Sequence, residues 1–137
     1  MMIEWTGRFD TGIAEVDRDH RRLVDLINQL DGIISDGGDL GRVGAVVDAL
    51  VDYADYHFQR EERILESVGY DGAGAHAEIH ARFGHVLGDM VGVCMLHPDR
   101  ENLLRLGDYL KSWLTDHILV EDMKFAALLR DRIPPHG

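Results

Sequence analysis

The chain has 137 residues, of which 45% are hydrophobic and 28% charged, and its formal net charge is −11. A chain of this length is expected to form one domain, 1–137, around a single core. Its excess of acidic side chains repels nucleic acids and anionic membranes alike, so we exclude both as partners.

The sequence has no feature that would direct it into a membrane. No stretch approaches the roughly 18 apolar residues of a membrane span, and the N-terminal residues lack the apolar core of a signal peptide. The single cysteine, Cys94, cannot form an internal disulfide, which fits a reducing compartment. We therefore expect a cytoplasmic protein without membrane insertion.

Residues 1–16 show no sustained period and contain Gly7 and Gly12, which predicts an extended N-terminal arm. From Asp17, placed to cap or charge a first turn, apolar residues recur every three or four positions. Since no segment alternates apolar and polar residues, and the connections are short, the predicted fold is an all-α, up-down-up-down antiparallel four-helix bundle. The predicted helices cover about 17–36, 41–68, 73–96 and 99–131.

Three glycines, Gly84, Gly88 and Gly92, recur every four residues in the third predicted helix. Each costs up to about 1 kcal/mol relative to alanine, so such a row usually permits a close backbone approach. It could seat a neighbouring helix or a second subunit, and we favour the neighbouring helix.

Histidine and carboxylate side chains recur at helical spacing on the predicted inner faces. Residues four apart on a helix are rotated by only about 40° and lie roughly 6 Å apart along the axis, so both project from one stripe. Burying such groups without partners would cost roughly 1–3 kcal/mol each, and a metal ion supplies the missing partner. The candidate ligands are His57 with Glu61, His76 with His80, His117 with Asp122, and His20 alone on the first helix.

The last of these pairs is the least regular. A step of five residues from His117 to Asp122 turns by about 140° on an α-helix rather than 40°. Either the fourth helix loosens there, or the aspartate reaches in from the side. Glu121 lies four residues from His117, and spacing alone favours it as the carboxylate ligand.

The number of candidate ligands indicates two metal ions. Five histidines and two carboxylates exceed the four positions of tetrahedral zinc and the six of one octahedral ion. Suppose that both carboxylates and a solvent-derived oxygen bridge two octahedral ions. An ion with three histidine ligands then has all six coordination positions filled, whereas an ion with two histidine ligands keeps one open position. Because imidazole-rich sites in bundle cores suit redox-active metals, we hypothesise a dinuclear iron centre that binds dioxygen.

These motifs together resemble the bacterial members of the hemerythrin family, which bind dioxygen at a non-haem di-iron site. The resemblance covers nearly the whole chain. It rests on the three spaced pairs above and on Glu4-Trp5, Gly12-Ile13 and Val16-Asp17-x-x-His20 near the N-terminus.

The resemblance implies a role for each candidate ligand. It implies two iron ions joined by an oxo or hydroxo bridge, with Asp122 rather than Glu121 as a second bridging carboxylate. By resemblance, the closed iron is held by His76, His80 and His117, the open iron by His20 and His57, and both irons by Glu61 and Asp122.

The resemblance also implies an apolar pocket that protects bound dioxygen. The matching positions are Leu23, one turn beyond His20, and Phe58, Trp113 and Ile118 near the other ligands. From periodicity alone, each of these is an ordinary core residue. Bacterial members of the family are commonly monomeric, so we expect a monomer.

The expected function is reversible dioxygen binding for carriage, storage or delivery, without enzymatic activity. Oxygen-activating bundle enzymes typically carry Glu-x-x-His pairs, and here no glutamate is followed by a histidine three residues later. The alternatives are oxygen or redox sensing through a partner, and a di-iron peroxidase or nitric-oxide-scavenging enzyme. The sequence does not indicate which protein would accept the oxygen.

Overall fold

A computed structural model describes residues 3–37, 39–124 and 126 of the chain. Each of its four helices packs against the helices before and after it in sequence, and the first also packs against the fourth. The prediction of an all-α four-helix bundle is confirmed, with no strand among the described residues. The helices are α1, Ala14–Ser35; α2, Leu40–Ser67; α3, Ala73–Leu96; and α4, Arg100–Asp116, which continues as a π-helix over His117–Asp122.

The N-terminal arm is tied to the start of α1. The Asp17 carboxylate accepts hydrogen bonds from the backbone N–H of Thr11 (2.8 Å) and Gly12 (3.2 Å), and from the Thr11 hydroxyl (2.7 Å). Asp17 therefore lies within the first turn of α1, and its side chain binds the backbone that precedes the helix. For this reason α1 begins at Ala14, three residues before the predicted start at 17.

The rest of the arm lies against α1 by specific contacts. The side-chain amide of Asn28 accepts a hydrogen bond from the N–H of Ile3 and donates one to its carbonyl, both at 2.8 Å. A short 3-10 turn at Gly7–Phe9 lets the ring of Phe9 stack on Trp5, with centroids 5.2 Å apart. The arm is therefore not fully extended, and it covers one side of the bundle.

Local capping explains the starts of α2 and α4 and the ends of α1 and α2. The side chains of Asp39 and Asp99 accept backbone N–H bonds at the N-termini of α2 and α4. Gly37 and Gly69 have positive φ angles of 116° and 68°, which favour glycine directly after a helix. The predicted continuation of the fourth helix to about 131 lies largely outside the described residues.

The glycine row on α3 does not contact another helix. A Cβ atom on Gly84, Gly88 or Gly92 would lie more than 4 Å from every described atom of the other helices, and all three residues are exposed. The interpretation that the row seats a neighbouring helix of the chain is therefore wrong. Gly84 and Gly88 instead line an open groove between α2 and α3.

The core consists of the apolar faces of all four helices. Leu30, Leu50, Leu106 and Leu110 are at most 2% exposed, and they belong to one continuous cluster. Among the described residues, no helix is both long and apolar enough to cross a membrane. A second, smaller apolar cluster among the described residues consists of Ile13, Val16 and Leu65.

Candidate metal centre

Among the described residues, seven of the nine buried polar or charged side chains converge in the interior of the bundle. None of the seven is more than 4% exposed, although imidazoles and carboxylates rarely occur so deep in a core. The helices α1, α2 and α3 and the π-helical segment after α4 each contribute at least one of these side chains. They are His20 from α1, His57 and Glu61 from α2, His76 and His80 from α3, and His117 and Asp122 from the π-helical segment.

The ligand atoms form two groups that share Glu61. Within each group, one atom from each side chain lies within 4.8 Å of all the others. Because both groups include the same carboxylate, one bridging glutamate could serve two ions. One group contains Glu61, His76, His80 and His117, and the other contains His20, His57 and Glu61.

The two oxygens of Glu61 face different groups. Oε2 lies 3.1 Å from Nε2 of His57 and 3.7 Å from Nε2 of His20. Oε1 lies 3.3 Å from Nε2 of His80 and 3.9 Å from Nε2 of His117. Each oxygen could therefore bind one of two adjacent ions.

Asp122 divides its oxygens in the same way. Its Oδ2 lies 2.9 Å from Nε2 of His20, whereas its Oδ1 lies 3.1 Å from Nε2 of both His76 and His117. Two carboxylates therefore span both groups of histidines. The two groups differ by one imidazole, three on one side and two on the other.

The π-helix explains how His117 and Asp122 reach the same site. A π-helix bonds residue i to residue i+5, so residues five apart lie on one face. Asp122 is 0% exposed, while Glu121 is partly exposed and pairs with Lys124 at 3.2 Å. Of the two possibilities that the spacing left open, the helix loosens, and the better-spaced glutamate faces away from the ligand cluster.

Some ligand atoms of the cluster are hydrogen-bonded, such as Nε2 of His76 to Oε1 of Glu61, but others are not. His20 Nε2, His57 Nε2, Glu61 Oε2 and both oxygens of Asp122 are buried without a hydrogen-bond partner among the described residues. Nε2 of His80 and of His117 face each other at 3.1 Å. Lone pairs that converge on a common point suit a cation, so these residues fit a pair of metal ions.

In the metal-free protein the cluster shares protons among its members. Burial alone would lower the pKa of His20, but the adjacent carboxylates of Asp122 and Glu61 raise it to about 10. The pKa of His76 is raised to about 9, again against the effect of burial and by the same carboxylates. The imidazoles in turn hold the pKa of Glu61 well below its usual range, although burial opposes this.

These shifts predict how the stability of the metal-free protein depends on pH. Raised histidine pKa values add stability that is complete below about pH 6.5 and is lost as the pH rises through 9 to 10. One pKa unit corresponds to about 1.4 kcal/mol, so the loss is measurable. We expect thermal unfolding of the chelator-treated protein to show a falling melting temperature between pH 6.5 and 10.

The metal-loaded protein is the matched control, since it has the same surface charges. Its imidazoles give their lone pairs to metal, and a higher pH removes competing protons, so its stability should not fall in the same range. Equal pH profiles for the two forms would contradict the proton-sharing cluster.

Two carboxylates that the sequence analysis missed contact the outer nitrogens of ligand histidines. Oδ2 of Asp19 lies 3.0 Å from Nδ1 of His57, and Oε2 of Glu62 lies 3.3 Å from Nδ1 of His80. The helical period does indicate that Asp19 is buried, because Asp19 lies three residues after the buried Val16 and four residues before the buried Leu23. An acid on that stripe is expected to have a buried partner.

A small apolar cavity of about 10 Å³ lies inside the bundle and is lined by residues of all four helices. Three of the four predicted pocket residues, Leu23, Phe58 and Trp113, line this cavity. The fourth, Ile118, is fully buried but does not line it. A volume of this size accommodates about one water-sized molecule.

Two rings connect this cavity to the ligands. Phe58 stacks on His80 with a centroid distance of 3.9 Å, and Trp113 stacks on His117 at 4.4 Å. The groove between α2 and α3, of about 770 Å³, shares Ala54, Phe58 and Phe83 with the inner cavity, so these three residues separate the two spaces.

A closed helical bundle whose buried imidazoles and shared carboxylates could hold cations defines a class of helical metal-binding proteins. Within this class, the sequence profile described as the Hemerythrin HHE cation binding domain matches residues 11–129. The chain therefore belongs to the hemerythrin family, which confirms the resemblance found in the sequence.

Relatives in sequence and in structure cover nearly the whole chain. It is 29% identical to a bacteriohemerythrin of Stenotrophomonas maltophilia, covering 98% of this chain and 84% of the relative. It is 31% identical to a bacteriohemerythrin of Pseudomonas aeruginosa, covering 92% and 80% of the two chains. A crystal structure of wild-type hemerythrin matches with a TM-score of 0.84 and 26% identity, covering 95% of this chain and 99% of that one.

Proposed function

We propose that the protein binds dioxygen reversibly at a di-iron centre, for carriage, storage or delivery of oxygen. The observation that supports this most directly is the unequal division of five imidazoles around two shared carboxylates. The group with three histidines would complete the coordination of one iron. The group with only His20 and His57 would leave a position for a small ligand on the other.

Two ferrous ions, when bound, supply the two electrons that dioxygen takes up and returns. The chain supplies the fixed surroundings for this exchange. Glu61 and Asp122 would hold the ions, because each carboxylate turns its two oxygens toward different histidine groups. Leu23, Phe58 and Trp113 present an apolar wall that excludes water and stray protons.

We propose a binding protein rather than an enzyme, because the donor set is rich in neutral imidazole. Carboxylate-rich sites stabilise highly oxidised iron, whereas five imidazoles and two carboxylates favour binding and release. No cluster of further titratable groups lines the small apolar cavity among the described residues. The cavity therefore offers no evident proton donor to a bound oxygen molecule.

An oxygen cycle on the reduced protein tests the proposed function. We expect the anaerobic ferrous protein to be nearly colourless, to gain a visible charge-transfer band in air, and to lose this band under vacuum. Repeated cycles should return the same amplitude. Prompt irreversible oxidation without the band would contradict reversible binding.

Metal analysis is a separate test of the centre itself. The proposal requires two irons per chain, so a single ion, or zinc as the native metal, would contradict it. Steady turnover of peroxide or nitric oxide by the loaded protein would instead support the enzymatic alternative.

A further inference from the structure

We propose that Asp19 is a positioning residue for the two-histidine half of the centre: its carboxylate fixes the ring of His57 and strengthens Nε2 of that ring as a metal ligand. The inference rests on the proposed function only in taking His57 as a ligand. It does not depend on whether the bound metal takes up dioxygen.

The first step is the hydrogen bond between Asp19 and His57. Both side chains are 1% exposed, and Oδ2 of Asp19 lies 3.0 Å from Nδ1 of His57. With an ionised acceptor at this distance, Nδ1 carries the proton and donates it. The lone pair is then on Nε2, which points into the ligand cluster, 3.1 Å from Oε2 of Glu61.

Asp19 is itself held in place by Tyr53 and Arg60, on the side away from the ligand cluster. The Tyr53 hydroxyl donates to Oδ1 at 2.9 Å, and Nε of Arg60 lies 3.4 Å from Oδ2. Arg60 is only a quarter exposed, its guanidinium lies 4.8 Å from the centroid of the Tyr56 ring, and it donates to the Tyr56 hydroxyl. A buried carboxylate is costly unless it is paired, and Asp19 has three partners.

The charge of Asp19 follows from those partners. The Arg60 guanidinium beside Oδ2 and the Tyr53 hydroxyl that donates to Oδ1 both favour the ionised carboxylate. Asp19 therefore stays ionised in the interior. A charged acceptor makes the imidazole a stronger donor to metal than a neutral acceptor does.

Of the two histidines in this half, only His57 is hydrogen-bonded to a carboxylate through Nδ1 among the described residues. Nδ1 of His20, the other histidine of this half, is buried without a hydrogen-bond partner among the described residues. The three-histidine half has a comparable contact at His80, whose Nδ1 lies 3.3 Å from Glu62, a residue 33% exposed. Asp19 thus acts on the half that would keep an open position, and Glu62 acts on the other.

Anaerobic titration of the metal-free protein with ferrous iron tests the proposal. We expect Asp19→Ala to weaken the affinity for one of the two ions by about 10- to 100-fold and to leave the other unchanged. Glu62→Ala should instead weaken the ion held by the three histidines. Asp25→Asn, an exposed acid on the same helix as Asp19, is the charge control and should bind both ions normally.

Asp19→Asn separates orientation from charge, and it serves as well if Asp19→Ala does not fold. Its amide oxygen can still accept from Nδ1, so the ring stays oriented while the acceptor becomes neutral. We expect a small loss of iron affinity and a higher reduction potential, because a weaker donor disfavours the ferric state. The ¹⁵N chemical shift of Nδ1 in the metal-free variant reports the altered hydrogen bond directly.

The proposal is overturned if Asp19→Asn retains both the reduction potential and the Nδ1 shift of the unmodified protein, or if folded Asp19→Ala binds both ions with unchanged affinity. These outcomes are independent of the oxygen cycle. An unmodified protein that holds two irons but shows no reversible oxygen band would refute the proposed function and leave the role of Asp19 to be decided by the titration.

Discussion

Replacing Glu61 with glutamine is expected to reduce the iron content from two ions per chain to at most one. Glutamine preserves the volume of the side chain, so the packing of α2 changes little. Its amide nitrogen has no lone pair for a metal, whereas the two oxygens of Glu61 face different histidine groups. Colorimetric iron analysis after anaerobic loading and desalting measures the result.

Glu66→Gln is the matched control for this variant. Glu66 lies on the same helix, is exposed, and loses the same charge when replaced. It should retain two irons and the oxygen-dependent band. Two tightly held irons in Glu61→Gln would mean that Asp122 alone suffices as a bridge, contrary to the shared role derived from the geometry.

Phe58→Ala is expected to shorten the lifetime of the oxygenated protein and to destabilise the fold. The ring covers His80, lines the inner cavity, and separates that cavity from the groove between α2 and α3. Truncating a buried phenylalanine typically costs about 3–5 kcal/mol, and here it also admits water beside the ligands. Decay of the visible band after one exposure to oxygen measures the first effect, and denaturant unfolding measures the second.

A second buried phenylalanine separates the two effects of that substitution. Phe9 is 7% exposed and packs beside Trp5; its 3-10 turn contacts the π-helical segment, but Phe9 does not line the inner cavity. Phe9→Ala should cost a similar amount of stability without changing the lifetime of the band. If the two variants lose the band at the same rate, loss of stability alone explains the decay, and Phe58 has no protective role.

The sequence was sufficient for the fold and for most of the candidate ligands because both follow from regular helix geometry. The predicted range of α3, 73–96, agrees with the structure, since Gly72 and Pro98 mark its limits clearly. The pairs His57 with Glu61 and His76 with His80 are visible in the sequence, because a step of four returns to the same stripe.

Features that depend on irregular winding or on tertiary contacts were not predictable in the same way. The choice between Glu121 and Asp122 depends on a local change of helix type, which the hydrophobic period does not encode. The hydrogen bond between Asp19 and His57 joins residues 38 positions apart. The glycine row was misinterpreted because spacing cannot distinguish a helix contact from a face that is open to solvent.

The π-helical segment also sets the directions in which the described residues after it, such as Met123 and Ala126, project from the helix. A widened turn accommodates one extra residue, and each residue of an α-helix accounts for about 100° of rotation. Without that extra residue, Met123 and Ala126 would point about a quarter-turn or more away from their present directions, and Ala126 is now only 1% exposed. The same local insertion that brings a carboxylate into the centre therefore also turns Ala126 toward the interior of the bundle.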